Sequence, residues 1–211
     1  MKRSFRTSTL PLALILLSYA TTCANATGQR LAALPSPSLP TQAVGSAPPM
    51  PAWAAFCQRH PGECAVNSDE PSTIELTSRA WALIVTTNRA VNKEIKPITD
   101  HEHWGVEDRW DLAPDGSGDC EDYQLLKRRR LVQQGLPARA LRMTVAVDEE
   151  QQGHAVLMVR TNRGDFILDN KTNAVLPWRE TGYRLVKRES ENSAAWVALG
   201  GVPSPMMTAN K

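Results

Sequence analysis

Gly116-Ser117-Gly118-Asp119-Cys120-Glu121-Asp122-Tyr123 is the stretch on which the reading of this chain turns. Two glycines loosen the backbone just before a cysteine, and a helical pattern opens at Cys120 and runs to Gln134, where Gly135 stops it. Asp119 is a good N-cap residue, which puts Cys120 in the first helical turn. There, unpaired N–H groups and the macrodipole favour an anion. A thiol so placed ionises more readily and becomes a nucleophile. Downstream lie Gly153-His154 and Leu168-Asp169-Asn170. Cysteine, histidine and aspartate in that order point to a thiol hydrolase.

The first 26 residues read as a signal peptide. Lys2, Arg3 and Arg6 form a basic start, Leu10 to Tyr19 an apolar run, and Ala24-Asn25-Ala26 an A-x-A cleavage site. The apolar run is too short to span a bilayer as a helix. Ala20-Thr21-Thr22 before Cys23 lacks the leucine and small residues of a lipoprotein signal. Cleavage after Ala26 leaves 185 residues, enough for one domain with a core of its own. They carry 21 Lys and Arg against 22 Asp and Glu, a net charge of −1. No basic excess argues for nucleic acid, and no second apolar stretch argues for a membrane span. The expectation is an exported monomer.

Three cysteines survive cleavage. In an oxidising compartment a close pair crosslinks and the odd one stays free. Cys57 and Cys64, with six residues between them around His60-Pro61-Gly62, suit a small disulfide loop, which leaves Cys120 as the free thiol. Buried packing is the bland alternative for a free cysteine, but the polar flanks Asp119, Glu121 and Asp122 argue against it.

Residues 27–52 hold Pro35, Pro37, Pro40, Pro48, Pro49 and Pro51 among Ser, Thr and Ala, and read as a disordered or extended leader. The domain is expected over 53–200, starting near Trp53-Ala54-Ala55-Phe56, with a flexible tail at 201–211. Glu75 to Ile95 is the longest helical pattern. Thr77 can cap it, Ala80, Leu83, Ile84, Thr87, Val91 and Ile95 line one face, and Pro97 ends it. Ile98 to Pro114 looks irregular. Its His101 and His103 lack the further ligands of a zinc site, so loop packing is expected. Ala138–Asp148, His154–Thr161, Asp165–Asp169, Leu185–Lys187 and Ala195–Leu199 have strand character. Helices first and an antiparallel sheet after them make an α+β fold.

The turn at Asn162-Arg163-Gly164 supplies a geometric check. If it is a two-residue turn, His154 faces residue 171 or 173, and Asp169 lies one or two pairs away on the same face. In the implied chemistry Cys120 attacks a carbonyl, and His154 takes the thiol proton and returns it to the leaving amine. Asp169 orients His154 and stabilises its cation. The Cys120 N–H is one oxyanion donor. The second is not identifiable, with Trp104 and Trp110 as candidates by position alone. Asp119, Glu121 and Asp122 beside a thiolate would raise its pKa by repulsion. A bound calcium ion, with its preference for hard oxygen ligands, would cancel that. The alternative is that Asp119 is only a cap and the other acids favour the positive helix end.

Gly118-Asp119-Cys120-Glu121-Asp122-Tyr123, Gly153-His154-Ala155-Val156-Leu157-Met158-Val159-Arg160-Thr161 and Gly164-Asp165-Phe166-Ile167-Leu168-Asp169-Asn170 resemble the bacterial transglutaminase-like cysteine proteinases. The resemblance covers about Phe56 to Leu199. It implies a papain-like/transglutaminase-like core and a Cys-His-Asp triad, carried over onto Cys120, His154 and Asp169, with calcium-linked acids at Asp119 and Glu121. The best-known members are LapG-type periplasmic proteases, which release giant adhesins from the outer membrane. They depend on calcium and answer to an inner-membrane cyclic-di-GMP receptor. The Pro-rich leader, the Cys57/Cys64 pair and the Lys127-Arg128-Arg129-Arg130 run depart from that pattern, and the basic run reads as a solvated helix face. The expectation is therefore an exported cysteine peptidase acting on a protein substrate, a cell-surface adhesin by resemblance. The alternatives are a transglutaminase using the same thioester, or a catalytically idle periplasmic interaction module.

Overall fold

The Cys120 helix is laid across an antiparallel sheet by the alternation of apolar residues in three successive strands. A computed structural model describes Met1 and residues 33–200. The predicted signal peptide, 1–26, and tail, 201–211, lie outside the described residues. In chain order the elements are β1 (Gly45–Ala47), α1 (Pro51–Arg59), α2 (Pro61–Cys64), α3 (Ser78–Glu94), β2 (Lys96–Pro97), α4 (Asp100–Trp104), β3 (Ser117–Gly118) and α5 (Cys120–Gln133). Then follow β4 (Leu141–Val147), β5 (Gly153–Thr161), β6 (Gly164–Leu168), β7 (Leu176–Pro177), β8 (Arg184–Glu189) and β9 (Trp196–Ala198). The main sheet has the order β1-β9-β8-β4-β5-β6-β7 with antiparallel neighbours, so the architecture is α+β.

The long amphipathic pattern becomes α3. The Thr77 side chain accepts from the Ala80 N–H at 3.1 Å, and the helix buries Ala80, Trp81, Ile84, Thr87, Asn88 and Val91. It packs against α5, and α5 packs on β5 and β4. The sheet is covered on both faces. Met143, Val145, Val147, Ala155, Leu157, Val159, Phe166 and Leu168 share one core with residues of α1, α3 and α5. Ala146, Val156, Met158, Ile167 and Leu185 form a second core under Trp178, Tyr183 and Leu199. The Cys57–Cys64 disulfide is present and ties α1 to α2.

Two sequence expectations are corrected here. From residue 33 the Pro-rich leader is extended, but it is not detached from the domain. Gly45–Ala47, a proline-free stretch between Pro40 and Pro48, pairs with Trp196–Ala198 at the sheet edge. Upstream, the Ser38 N–H donates to Arg163 O at 2.8 Å, and the Thr41 hydroxyl and N–H both reach Asp165 Oδ2 at 2.7 Å. Prolines suit such a path because an edge segment uses only part of its hydrogen-bonding capacity. The basic run is not a solvated face either: Lys127 and Arg128 are buried. Arg128 Nη1 donates to both oxygens of buried Glu189 at 3.0 and 2.9 Å, and Glu189 also accepts from Trp53 Nε1 and the Met143 N–H. Their helix lies between sheet and α3, so a charge there needs a partner from another element.

Candidate active site

Cys120 opens α5, as its sequence implies, but the structure supports the turn before it differently from the expected cap. Gly116 adopts φ +80°, and Gly118 has no room for a side chain, since a Cβ there would stand 2.4 Å from Asp122 Oδ2. Asp119 occupies the N-cap position, but its side chain does not cap the helix. Its Oδ2 accepts instead from the Asp100 N–H at 3.2 Å, at the start of α4. The segment read as irregular therefore contains a short helix, held by a capping box between Thr99 and Glu102.

The acids around the thiol are buried, contrary to the reading that polar flanks would keep Cys120 out of the interior. Cys120 is 0% exposed, Asp119 1%, Glu121 2% and Asp122 1%. The interior accepts them because other groups meet their oxygens. Asp122 Oδ1 takes the Asp111 N–H at 2.6 Å, and Glu121 Oε2 accepts the Cys120 thiol at 3.2 Å. Burial, and then the charges of Glu121 and Asp119, push the Cys120 thiol well above its ordinary value. Burial first, and then neighbouring acids, likewise push Glu121 and Asp122 well up. Asp100 is raised to about 6 by burial and by Asp119.

Oxygen atoms of Asp100, Asp119 and Glu121 lie within 4.8 Å of one another. Asp119 Oδ1 is buried with no hydrogen-bond partner among the described residues. Three hard oxygen donors, crowded at a cost to their own ionisation and leaving a buried oxygen unpaired, fit a divalent cation of the calcium type. Asp100 has no signal in the sequence, because α4 meets the Cys120 turn only in the tertiary structure. Neither His101 nor His103 belongs to this cluster. His103 stacks on Trp104 and bonds Asp115 at 2.9 Å, so its role is packing.

The β5–β6 hairpin turns as the first predicted register required. Thr161 pairs with Gly164 and Leu157 with Leu168, which sets Asp169 one residue past the last pair and on the side of His154. His154 Nε2 and Asp169 Oδ1 lie 2.8 Å apart, both residues buried. His154 Nδ1 is buried without a partner among the described residues. Burial would raise the Asp169 carboxyl, but the hydrogen bond and charge of His154, the Tyr183 hydroxyl and the Lys171 N–H outweigh it and hold it at about 2.

Cys120 is brought beside this pair, though not into hydrogen bonding with it. Its Sγ accepts the N–H of Ala155, the residue after His154, at 3.4 Å, while its own proton points to Glu121. Of the positional candidates for an oxyanion donor, Trp110 is excluded: it is fully buried and its Nε1 donates to Asp108 at 3.0 Å. Trp104 Nε1 is buried and unpartnered among the described residues. Sequence reasoning missed two further neighbours. Lys127 is buried on α5, bonded to Gln124 at 3.3 Å, and burial, offset by Asp169, lowers it to about 7. Tyr183 reaches Asp169 Oδ2 at 2.5 Å.

No curated protein matches the chain. Among solved structures it is similar to Legionella pneumophila LapG, 27% identical over 58% of this chain and 71% of that one, with a TM-score of 0.49. It is also similar to calcium-bound Legionella pneumophila LapG, 26% identical over 60% of this chain and 74% of that one, with a TM-score of 0.50. No helix among the described residues is long and apolar enough to cross a membrane. A helix-borne cysteine beside a sheet-borne histidine and aspartate is the arrangement expected of papain-like and transglutaminase-like enzymes. Residues 42–203 match the family described as bacterial transglutaminase-like cysteine proteinases (BTLCP), and the chain belongs to that family of cysteine peptidases, whose substrates are proteins.

Proposed function

We propose that this protein is an exported, periplasmic cysteine endopeptidase in which Cys120 is the nucleophile, His154 the general base and acid, and Asp169 the residue that orients His154. The observation that carries the reading is the buried His154–Asp169 pair, 2.8 Å apart, one residue away from the N–H that touches Cys120 Sγ. With Nε2 committed to Asp169, Nδ1 is the imidazole atom left to exchange a proton with the thiol.

In the reaction the thiol gives its proton to His154 Nδ1 and its sulfur attacks the peptide carbonyl. The Cys120 N–H at the helix start faces the developing oxyanion. His154 then protonates the departing amine, and a thioester remains on Cys120. Water, deprotonated by the same imidazole, releases the acid and restores the thiol. Asp169 stays ionised throughout and stabilises the imidazolium. Because the thiol is bonded to Glu121 and fully buried, turnover requires Cys120 to exchange that partner for His154 and the site to open to substrate. Asp100, Asp119 and Glu121 would hold calcium. When bound, the ion supplies positive charge beside the thiol and offsets the repulsion that keeps it protonated.

By its resemblance we extend the reading to a large cell-surface adhesin as substrate and to control by an inner-membrane cyclic-di-GMP receptor. The test is proteolysis of such a protein by the wild type and by Cys120→Ala, His154→Ala and Asp169→Asn, with and without chelator and with a primary amine added. Expected are cleaved products from the wild type alone, lost with chelator, and single-mutant losses far from additive in combination. Amine incorporation without cleavage would favour acyl transfer, and equal inertness of all four proteins in calcium would leave an interaction module.

A further inference from the structure

The Asp169 carboxylate is placed awkwardly for a group that must aim one oxygen at an imidazole. It lies one residue beyond the end of β6, outside the sheet ladder, and a carboxylate turns easily about its terminal torsion. Its two oxygens are met by different groups. Oδ1 takes His154 Nε2 at 2.8 Å and the Lys171 N–H at 3.1 Å. Among the hydrogen bonds of the described residues, Oδ2 takes one, from the Tyr183 hydroxyl at 2.5 Å. That length is typical of a hydroxyl donating to an ionised carboxylate.

Tyr183 is itself fixed. Its N–H donates to Thr181 Oγ1 at 3.1 Å, and the Thr181 hydroxyl donates to Trp178 O at 2.9 Å. Its ring stands edge-on to the His154 ring, centroids 5.5 Å apart and planes at 82°. The phenol thus touches both members of the pair. It also forms, with Asp169, Lys171, Ile167 and Leu176, part of the wall of a cavity of about 310 Å³. Burial and the neighbouring Asp169 raise the Tyr183 hydroxyl, so it remains a proton donor across the working range.

We propose that Tyr183 is a positioning residue of the catalytic site: its hydroxyl fixes the plane of the Asp169 carboxylate so that Oδ1 faces His154. The proposal rests on the assignment of His154 and Asp169 above. It also explains why a residue of the β7–β8 connection, far from both in sequence, ends with its hydroxyl on Asp169.

Tyr183→Phe removes the hydroxyl and keeps the ring. Two measurements are made in calcium. The first is steady-state kinetics, where kcat is expected to fall between about 10- and 100-fold, the effect of losing a hydrogen bond to a charged group, with KM within about twofold. The second is proton NMR of the resting protein. The imidazole Nε2 proton held by Asp169 should be a resolved downfield signal in the wild type, and it should move upfield and exchange faster with water in the variant. Thermal melting and circular dichroism confirm that the variant is folded. A folded Tyr183→Phe protein with unchanged kcat and an unchanged imidazole signal would overturn the proposal, as would a loss appearing only in KM. The NMR arm needs no turnover, so an inactive wild type whose imidazole proton still responds to Tyr183→Phe would sink the peptidase reading and leave the positioning role standing.

Discussion

In metal-free protein, Asp100→Asn should change how stability responds to pH, and the size of the change follows from one buried carboxyl. Asp100 is 2% exposed and its pKa is raised from 3.8 to about 6, by burial first and then by Asp119. A group raised in the folded state binds its proton more tightly there than in the unfolded chain. Its contribution to stability is therefore present in full below the unfolded value and is lost as pH climbs through about 6. The whole rise corresponds to about 3 kcal/mol, of which roughly 1.4 kcal/mol falls between pH 5 and 8. Buried Lys127, lowered to about 7, acts in the opposite sense over the same window, so the wild-type curve alone is not diagnostic. Asp169, held at about 2, loses its contribution only in strong acid and stays outside the window. Subtracting the wild type from Asp100→Asn cancels both and leaves the Asp100 carboxyl, with a further gain in the same direction from Asp108, which burial and then Asp100 raise to about 7.

Thermal melts in chelator should thus show the variant gaining on the wild type by roughly 1.4 kcal/mol from pH 5 to pH 8, about 3 to 6 °C in melting temperature for a domain of this size. Asparagine is a fair probe because its oxygen can still accept the Arg109 N–H that Asp100 accepts now. In calcium the order should reverse. At a hundredfold excess over Kd a bound ion adds about 2.7 kcal/mol to the wild type, and the variant loses most of it. Parallel pH curves in chelator would refute the raised Asp100 carboxyl, and calcium-insensitive melting of the wild type would refute the metal site.

Three further outcomes follow from buried contacts. A thiol alkylator should label Cys120 alone in the oxidised protein and only slowly, since Cys57 and Cys64 are crosslinked and Cys120 is fully buried; mass mapping after digestion reads this, and label on Cys57 or Cys64 would contradict it. Arg128→Met should cost about 3 to 5 kcal/mol in denaturant unfolding, because it strands buried Glu189 without its partner, whereas Arg130→Met, losing a more exposed pair with Glu94, should cost less than about 1 kcal/mol. Gly118→Ala should lower both melting temperature and kcat, since its Cβ would stand 2.4 Å from Asp122 Oδ2 in the turn that carries Cys120; Gly62→Ala, with open space around it, serves as the control.

What the chain declares by itself is local. The helix start at Cys120 can be read from Gly, Asp and the apolar spacing that follows. The Cys57–Cys64 pairing is legible from proximity, and the alignment of His154 with Asp169 from the length of one turn. Each depends on backbone geometry within a few residues, or on a register that a two-residue turn propagates along both strands. Tertiary structure decided everything that depends on how elements meet. Asp100 joins Asp119 and Glu121 because β2 pairs with β3 and brings α4 to the Cys120 turn. Tyr183 reaches Asp169 because the chain between β7 and β8 crosses the second core. The basic run looked solvated because its counter-charge, Glu189, lies 61 residues beyond Arg128. The acids flanking Cys120 looked exposed for the same reason. Charge in a sequence shows a preference for water, whereas burial is settled by whether a distant partner arrives to replace that water, and only the assembled fold contains the partner.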